Sequence, residues 1–285
     1  MSPLDLVNLS ELMKRTAGRP EIIVAMVDGP IAASHADLAQ SSIREVGGDL
    51  RARCALSSSA ACVHGTFVAG ILSARRGSAA PAICPGCTLL VNPVFSETAT
   101  GRGDQPSATP EDLAAAILAC LEAGAQVVNL SLAVTRSSPK GERALRLALD
   151  DAARRGVLIV AAAGNQGAVG GTVITSHPWV LAVTACDASG RPVNASNLGR
   201  SIGRNGLRAP GDQVTSLGAD GASLTLGGTS VAAPFVTGAV ALVWSQLPAA
   251  TGAQIRLAFH HPHVRGRVSV TPPLLDAWAA YQRAM

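Results

Sequence analysis

Four polar side chains stand at the ends of short apolar or glycine-rich runs in this sequence. Asp28 closes the apolar run 22–27, and His64 begins a run of small and apolar residues. Asn165 follows a run that ends in glycine, and Ser230 stands between glycines and a small-residue run that predicts a helix start. These residue types suit nucleophilic catalysis, because a serine hydroxyl needs an adjacent base and the base needs an orienting carboxylate.

Each of the four residues has a predicted role in breaking an acyl bond. Asp28 would fix the tautomer of His64, which would carry the proton of the Ser230 hydroxyl to the leaving amine. A helix start places backbone N–H groups and the positive end of the helix dipole beside Ser230, which favours a developing oxyanion. Asn165 would donate a side-chain amide hydrogen to the same oxygen.

Taken one at a time, these residues have ordinary structural explanations. An aspartate before Gly29 and Pro30 is usually a turn residue, and a histidine before Gly65 usually caps a helix or lies at the surface. Glycine followed by asparagine is an ordinary signal for the end of a strand. The joint occurrence of all four, in the order Asp, His, Asn, Ser, is what favours catalysis.

The elements that must bring these residues together are predicted from alternating β-branched and alanine-rich runs. This pattern is typical of an α/β domain with a mainly parallel sheet, whose strands share one ligand-binding edge at their carboxyl ends. The predicted strands are 22–27, 88–94, 126–130, 157–162, 179–184 and 214–217. The predicted helices are 64–74, 110–123, 141–155 and 230–246.

The N-terminal residues 3–16 predict a single amphipathic helix that ends at Gly18. We expect it to lie on the rest of the protein, which divides the chain into an N-terminal helical cap, 1–20, and a catalytic domain, 21–285. Apolar residues make up 48% and charged residues 15% of the 285 residues, a balance that suits one large buried core.

The charge pattern argues against two classes of partner. The net charge of +4 comes from scattered Lys and Arg, without the clustered basic stripe and interleaved aromatics of a nucleic-acid surface. No apolar run approaches the roughly 18 residues that cross a bilayer, so we expect no membrane partner. Residues 1–18 do not resemble a secretory signal, which predicts a cytoplasmic location.

Six cysteines leave several possibilities open. A disulfide between Cys54 and Cys62 would close a loop just before the histidine. Cys84 and Cys87 could form a second disulfide, join the first pair in a four-thiolate zinc site, or stay reduced. The remaining two lie in apolar runs and are expected to be buried thiols: Cys120 and Cys186.

Over roughly residues 22–247, the chain resembles the subtilisin-like serine proteases, the S8 family, which use the order Asp, His, Ser. The segments that carry the resemblance are Val27-Asp28-Gly29, Ser34 to Leu38, His64 to Gly70, Val128 to Leu132, Ala162 to Asn165 and Gly228 to Pro234. The resemblance implies a three-layer α/β sandwich around a mainly parallel central sheet. It also implies that Asp28, His64 and Ser230 are the catalytic triad, that Asn165 is the oxyanion donor, and that no cofactor is used.

The same resemblance predicts where an extended peptide substrate would bind. Two edges would clasp its backbone by strand addition: Ser131-Leu132-Ala133 and Gly101-Arg102-Gly103. Ala163 and Gly164 are also expected to contact substrate. The segment 168–173 is small and neutral, which predicts an uncharged residue at the substrate position P1, on the acyl side of the cleaved bond.

Two departures from the family pattern stand out. Phe67 replaces a second, non-catalytic histidine, so we expect altered packing and retained activity. Asp37 matches a position that often helps to bind calcium, but the segment 75–80 lacks the oxygen ligands that would complete the site. We therefore expect no metal there.

Within the family, the segments 25–30 and 93–96, together with the cysteines near His64, look most like the proteases of cyanobactin maturation. Those enzymes trim leader or follower segments from ribosomally made, modified peptides, and the predicted substrate is accordingly a precursor peptide. Two alternatives are a general intracellular subtilase that degrades unfolded chains and a non-catalytic peptide-binding protein. An esterase on the doubly wound hydrolase fold is disfavoured, because that fold orders its triad Ser, Asp, His.

Overall fold

The central sheet is built from parallel strands. The computed structural model describes residues 2–46, 53–95, 97, 107–134, 138–260 and 269–285. The strands are β1 (Ile23–Asp28), β2 (Ser42–Glu45), β3 (Thr88–Pro93), β4 (Ser107–Ala108), β5 (Val127–Leu130), β6 (Ala133–Val134), β7 (Leu158–Ala162), β8 (Val180–Cys186), β9 (Leu207–Pro210), β10 (Val214–Leu217) and β11 (Ser223–Leu226). Within the described ranges, seven of them form one sheet in the order β2-β3-β1-β5-β7-β8-β9, with every pairing parallel.

Helices cover both faces of this sheet. They are α1 (Pro3–Leu6), α2 (Leu9–Arg15), α3 (Ala60–Ser73), α4 (Pro110–Glu122), α5 (Pro139–Arg155), α6 (Arg200–Asn205), α7 (Thr229–Gln246), α8 (Gly252–Ala258) and α9 (Ala277–Ala284). One apolar core lies between the sheet and the layer that holds α3 and α7, and a second lies between the sheet and α4 with α5. The predicted three-layer α/β architecture is confirmed.

Local sequence signals set the bounds of the helices. The Thr109 hydroxyl accepts a hydrogen bond from the backbone N–H of Asp112 at 3.1 Å, which begins α4 as predicted. Ser138 caps α5 in the same way, and Gly156 ends it with a φ of 72°. Helix α3 begins at Ala60, before the predicted residue 64, because Ser59 acts as its N-cap.

The strand 214–217 was predicted without its partner. It forms an antiparallel two-stranded sheet with β11 and is not part of the central sheet. Five further elements were not predicted. They are the helices α6, α8 and α9 and the central-sheet strands β2 and β9.

The prediction of one helix over 3–16 is wrong. Two short helices stand there, because Asn8 adopts a left-handed φ of 53° between α1 and α2. Leu9 and Leu12 are buried in the same apolar core as α7. The division into a cap, 1–20, and a catalytic domain, 21–285, stays a prediction.

None of the helices in the described ranges combines the length and the hydrophobicity that would carry it across a bilayer.

Candidate active site

Three neighbouring strands end side by side at one edge of the sheet. Asp28 is the last residue of β1, Ser131 directly follows β5, and Asn165 follows β7 after two small residues. Strand β5 pairs with both β1 and β7 in parallel register. Because adjacent strands lie about 4.8 Å apart, the predicted aspartate and asparagine are placed on the same edge.

The first contact at this edge joins Asp28 to His64. The Nδ1 of His64 donates a hydrogen bond to Oδ1 of Asp28 at 2.6 Å, and the backbone N–H of Gly29 donates to the same oxygen at 2.7 Å. Asp28 is fully buried, whereas the His64 side chain is 17% exposed. The carboxylate therefore holds the imidazole in the tautomer that leaves Nε2 free to act as a base.

Close backbone contacts between α3 and the residues after β1 place His64 beside Asp28. A Cβ atom on Gly65 would lie 2.4 Å from the carbonyl oxygen of Pro30, and one on Gly29 would lie 2.0 Å from that of Ala61. Only glycine fits at either position, so α3 can approach the end of β1 closely. His64 is thereby brought within hydrogen-bond distance of the strand end.

Burial and charge act in opposite directions on the imidazole. Burial disfavours the imidazolium and lowers the pKa of His64, but the negative charge and hydrogen bond of Asp28 raise it, and the net pKa is above the ordinary value. Because its pKa is raised, His64 becomes neutral, and so able to accept a proton, at a higher pH than a free histidine does.

Ser230 lies in the first turn of α7, half-buried at the same edge. Its backbone N–H has no hydrogen-bond partner within the described part of the chain. Its hydroxyl makes no hydrogen bond to His64 among those residues either.

The backbone carbonyl of Ser230 accepts a hydrogen bond from a side chain outside α7. Pro234 lacks an N–H and cannot bond to the carbonyl four residues before it. The Ser131 hydroxyl donates to that carbonyl oxygen at 2.8 Å, and the Nδ2 of Asn129 donates to the Ser131 hydroxyl at 2.8 Å. The start of α7 is thereby tied to the end of β5.

Asn165 approaches the same helix start. Its Oδ1 accepts a hydrogen bond from the backbone N–H of Thr229 at 2.9 Å, and the Thr229 hydroxyl accepts one from Gly164 N–H at 3.1 Å. The Nδ2 of Asn165 has no partner in the described ranges, and the residue is exposed. Two unpaired donors, this Nδ2 and the Ser230 N–H, therefore flank the serine, as binding an oxyanion requires.

Asn197 is a residue that sequence reasoning missed. Its Oδ1 accepts hydrogen bonds from the N–H groups of Gln166 and Ala168 at 3.1 and 3.0 Å. Its Nδ2 donates to the Ala163 carbonyl at 3.1 Å and to Gln166 Oε1 at 2.6 Å. One amide therefore fixes the loop on both sides of Asn165, and no local pattern around residue 197 signals this.

The predicted substrate contacts have different environments. Ser131 and Leu132 are buried, and Ala133 lies in β6, which pairs with β4. The backbone N–H groups of Ala163 and Gly164 already bond to protein partners, Val183 and Thr229. The second predicted edge lies outside the described residues: Gly101, Arg102 and Gly103.

The cysteines near the histidine are joined to each other. Cys54 and Cys62 form a disulfide, which ties the loop before α3 to its first turn. Since these two sulfurs are bonded to each other, they are not thiolate ligands, which removes the alternative of a four-thiolate zinc site with Cys84 and Cys87. All four remaining thiols are free and buried: Cys84, Cys87, Cys120 and Cys186.

The two departures from the family pattern have direct structural counterparts. Phe67 is fully buried, and the hydroxyl of Ser216 donates to its backbone carbonyl at 2.8 Å. The guanidinium of Arg75 donates twice to the Asp37 carboxylate, at 3.1 and 2.8 Å. A cationic side chain thus faces the carboxylate that suggested a calcium site.

A cavity of about 640 Å³ lies near Asp28, between the end of β3 and α4. Its wall includes Val94, whose N–H donates to the Asp28 carbonyl at 2.8 Å, and the small side chains of Ala115 and Ala119 form part of its lining. Two carboxylates also border it: Glu97 and Asp112.

Comparison with known proteins places this site in a family context. The model of the subtilase family, Peptidase_S8, matches residues 19–265. Subtilisin DY of Bacillus licheniformis is 31% identical over 238 residues, which are 82% of this chain and 80% of that protein. Subtilisin E of Bacillus subtilis matches 68% of this chain but only 48% of its own length.

Solved structures of two maturation proteases are similar over nearly the whole chain. The prenylagaramide maturation protease PagA superposes with a TM-score of 0.82 at 28% identity and covers 97% of this chain and 98% of its own. The protease domain of PatA, as a point mutant, superposes with a TM-score of 0.80 at 28% identity and covers 94% and 96%.

Proposed function

We propose that Asp28, His64 and Ser230 form the catalytic triad of this chain, which belongs to the subtilase family and is a subtilisin-type serine endopeptidase. The observation that carries this assignment is the 2.6 Å hydrogen bond between a fully buried Asp28 and His64, at the sheet edge where α7 begins. We also propose that Asn165 and the Ser230 N–H form the oxyanion hole.

In the first half of the proposed reaction, the Ser230 oxygen attacks the scissile carbonyl carbon while Nε2 of His64 takes the hydroxyl proton. The carbonyl oxygen becomes an oxyanion that accepts hydrogen bonds from Asn165 Nδ2 and Ser230 N–H. Collapse of this intermediate breaks the C–N bond, and His64 gives its proton to the leaving amine. The product is an acyl-enzyme on Ser230.

In the second half, water attacks the acyl carbon and His64 takes a proton from that water. The second oxyanion uses the same two donors, and its collapse returns the proton to Ser230 and releases the acid. Asp28 stabilises the imidazolium in both halves and does not itself become protonated.

The proposed substrate is a ribosomally made, modified precursor peptide, whose leader or follower segment the enzyme would trim. Similarity to PagA and to the protease domain of PatA, at 28% identity over nearly the full chain, supports this proposal.

The proposed organisation keeps residues 1–20 as a cap on the catalytic domain, and the proposed location is the cytoplasm.

Broad proteolysis is the second candidate, because Subtilisin DY is 31% identical over 82% of this chain. The two candidates separate when purified enzyme is offered casein and a panel of precursor peptides. We expect cleavage at one site in a precursor and little digestion of casein. Broad casein digestion would remove the maturation proposal and leave the endopeptidase intact.

A fluorophosphonate probe tests the chemistry without a known substrate. We expect the enzyme to be labelled on Ser230 and the Ser230→Ala variant to remain unlabelled. Absence of labelling in the folded unmodified chain would favour a non-catalytic peptide-binding protein.

A further inference from the structure

Two thiols that the proposed reaction does not use lie in one tight turn, Cys84-Pro85-Gly86-Cys87. The backbone N–H of Cys87 donates to the carbonyl of Cys84 at 3.0 Å, which closes the turn and brings the two side chains together. Both thiols are buried and free. Two cysteines separated by two residues can form a disulfide without moving other elements of the fold.

A cation stands beside this turn. The guanidinium of Arg76 donates to the backbone carbonyls of Met13, Thr16 and Ile83 at 2.6, 2.7 and 3.1 Å. It has no carboxylate partner in the part of the chain that the structure describes, and its positive charge acts on Cys84. This positive charge favours the thiolate of Cys84, but the effects of Cys87 and of burial on the pKa of Cys84 are larger.

The two thiols also act on each other. Interaction with Cys84 lowers the pKa of Cys87, and interaction with Cys87, together with burial, raises the pKa of Cys84 well above its ordinary value. Cys87, whose Sγ also lies 3.7 Å from the hydroxyl oxygen of Ser245, is thus the better thiolate of the two. Such an asymmetric pair is the arrangement that thiol–disulfide exchange uses.

The N-terminal segment covers the pair. The N–H of Gly86 donates to the Ala17 carbonyl at 2.7 Å. A Cβ atom on Gly18, whose φ is +103°, would lie 2.5 Å from the sulfur of Cys87. Residues 17 and 18 therefore lie directly over the turn, and a reagent must displace them to reach it.

We propose that Cys84 and Cys87 form a dithiol–disulfide redox site that exchanges with small-molecule disulfides when residues 17–18 lift away. The Cys87 thiolate attacks one sulfur of the incoming disulfide, which releases one thiolate and leaves a mixed disulfide. The Cys84 thiolate then attacks the Cys87 sulfur and releases the second thiolate. The protein loses two protons and two electrons, and the external disulfide is reduced to two thiols.

Oxidised glutathione provides the test. The full chain is equilibrated at stepped ratios of reduced to oxidised glutathione, the thiols are trapped by alkylation, and the fragments are identified by mass spectrometry. We expect the 84–87 fragment to convert to an internal disulfide while Cys120 and Cys186 stay alkylated, because burial raises the pKa of each of those lone thiols to about 11. Cys84→Ser should stop at a glutathione adduct on Cys87, and Cys120→Ser should change nothing.

The covering segment is tested by a pair of glycine variants. Gly18→Ala should make alkylation of Cys87 about tenfold faster, since it pushes residues 17–18 off the sulfur and favours local opening. Gly77→Ala is the matched control, because Gly77 also has a positive φ, of 88°, but nothing lies within 4 Å of an added Cβ. The proposal is overturned if the unmodified chain keeps both thiols reduced at every glutathione ratio, or if Cys120 and Cys186 form adducts as readily. Neither readout depends on protease activity.

Discussion

The hydroxyl of Ser131 donates a hydrogen bond to the backbone carbonyl oxygen of Ser230 at 2.8 Å. In an ordinary helix that carbonyl would accept from the N–H four residues later, but Pro234 stands there and has none. A side chain from the end of β5 therefore replaces a missing helix bond. The bond continues inward, because Asn129 donates to Ser131 and accepts from the Thr237 hydroxyl at 2.8 Å.

Ser131→Ala should both destabilise the protein and slow the reaction. The variant removes a hydrogen bond from the carbonyl of the half-buried Ser230, which costs about 0.5–1.5 kcal/mol. The start of α7 is no longer tied to β5, so we expect kcat to fall more than KM changes. Urea unfolding and steady-state kinetics measure the two effects.

The double variant Ser131→Ala with Pro234→Ala supplies the control. An alanine at 234 restores an N–H that can bond to the Ser230 carbonyl, so part of the lost stability should return. If the double variant is no more stable than Ser131→Ala alone, the carbonyl is not the group that Ser131 satisfies.

The acid limb of the pH profile should report His64. The imidazole must be neutral to accept a proton, and its pKa is raised because the effect of Asp28 exceeds that of burial. Activity should therefore be lost, as pH falls, at a pH above the ordinary histidine value of about 6.5. The pH dependence of kcat/KM on a fluorogenic peptide measures this limb.

Asp28→Asn is the companion variant. It removes the negative charge, so the pKa of His64 should fall and the acid limb should move to lower pH. Activity should drop by about 10⁴-fold at the same time, since the amide no longer favours the productive tautomer. An acid limb that stays in place would assign the titration to another group.

The substrate residue at P1 should be uncharged. The segment after Asn165 contains no acidic or basic residue through position 174, and Val169 is 77% exposed on it. A pocket without a buried acid gains nothing from Arg or Lys and pays for desolvating them. A peptide library randomised at P1 tests this, and efficient cleavage confined to Arg and Lys would refute it.

Residue types and short patterns predicted the parts of this fold that obey local rules. The run 22–27 that forms most of β1 is continuously apolar, as parallel strands are, and α4 carries its own start signal. Strand β2, with only intermediate or exposed residues at the sheet edge, and the six-residue α6 carry no such signal.

The residues of the site also divide into those that local sequence patterns predict and those that they do not. Asp28 and His64 could be named from their types and order, and they do meet. Asn197 could not, because its contacts join residues about 30 positions apart and depend on where two loops lie. The Cys54–Cys62 disulfide likewise remained one of several possible states of these cysteines until the loop before α3 was placed.

Asn197 should be a positioning residue for Asn165, and a double-mutant cycle can test this. Asn165→Ala should lower kcat by about 100- to 1000-fold, the usual effect of removing one oxyanion donor. Asn197→Ala removes the bonds to Gln166 and Ala168 and frees the loop, so kcat should fall with little change in KM.

The combination decides between positioning and a general loss of stability. If Asn197 acts through Asn165, Asn197→Ala should have little further effect on kcat in the Asn165→Ala background. Ser196→Ala is the matched control, because the Ser196 hydroxyl accepts from the Ala185 N–H at 3.0 Å and makes no hydrogen bond to the Asn165 loop within the described ranges. Its effect should simply add to that of Asn165→Ala. Additive losses for Asn197→Ala as well would mean that the amide supports the fold without orienting the oxyanion donor.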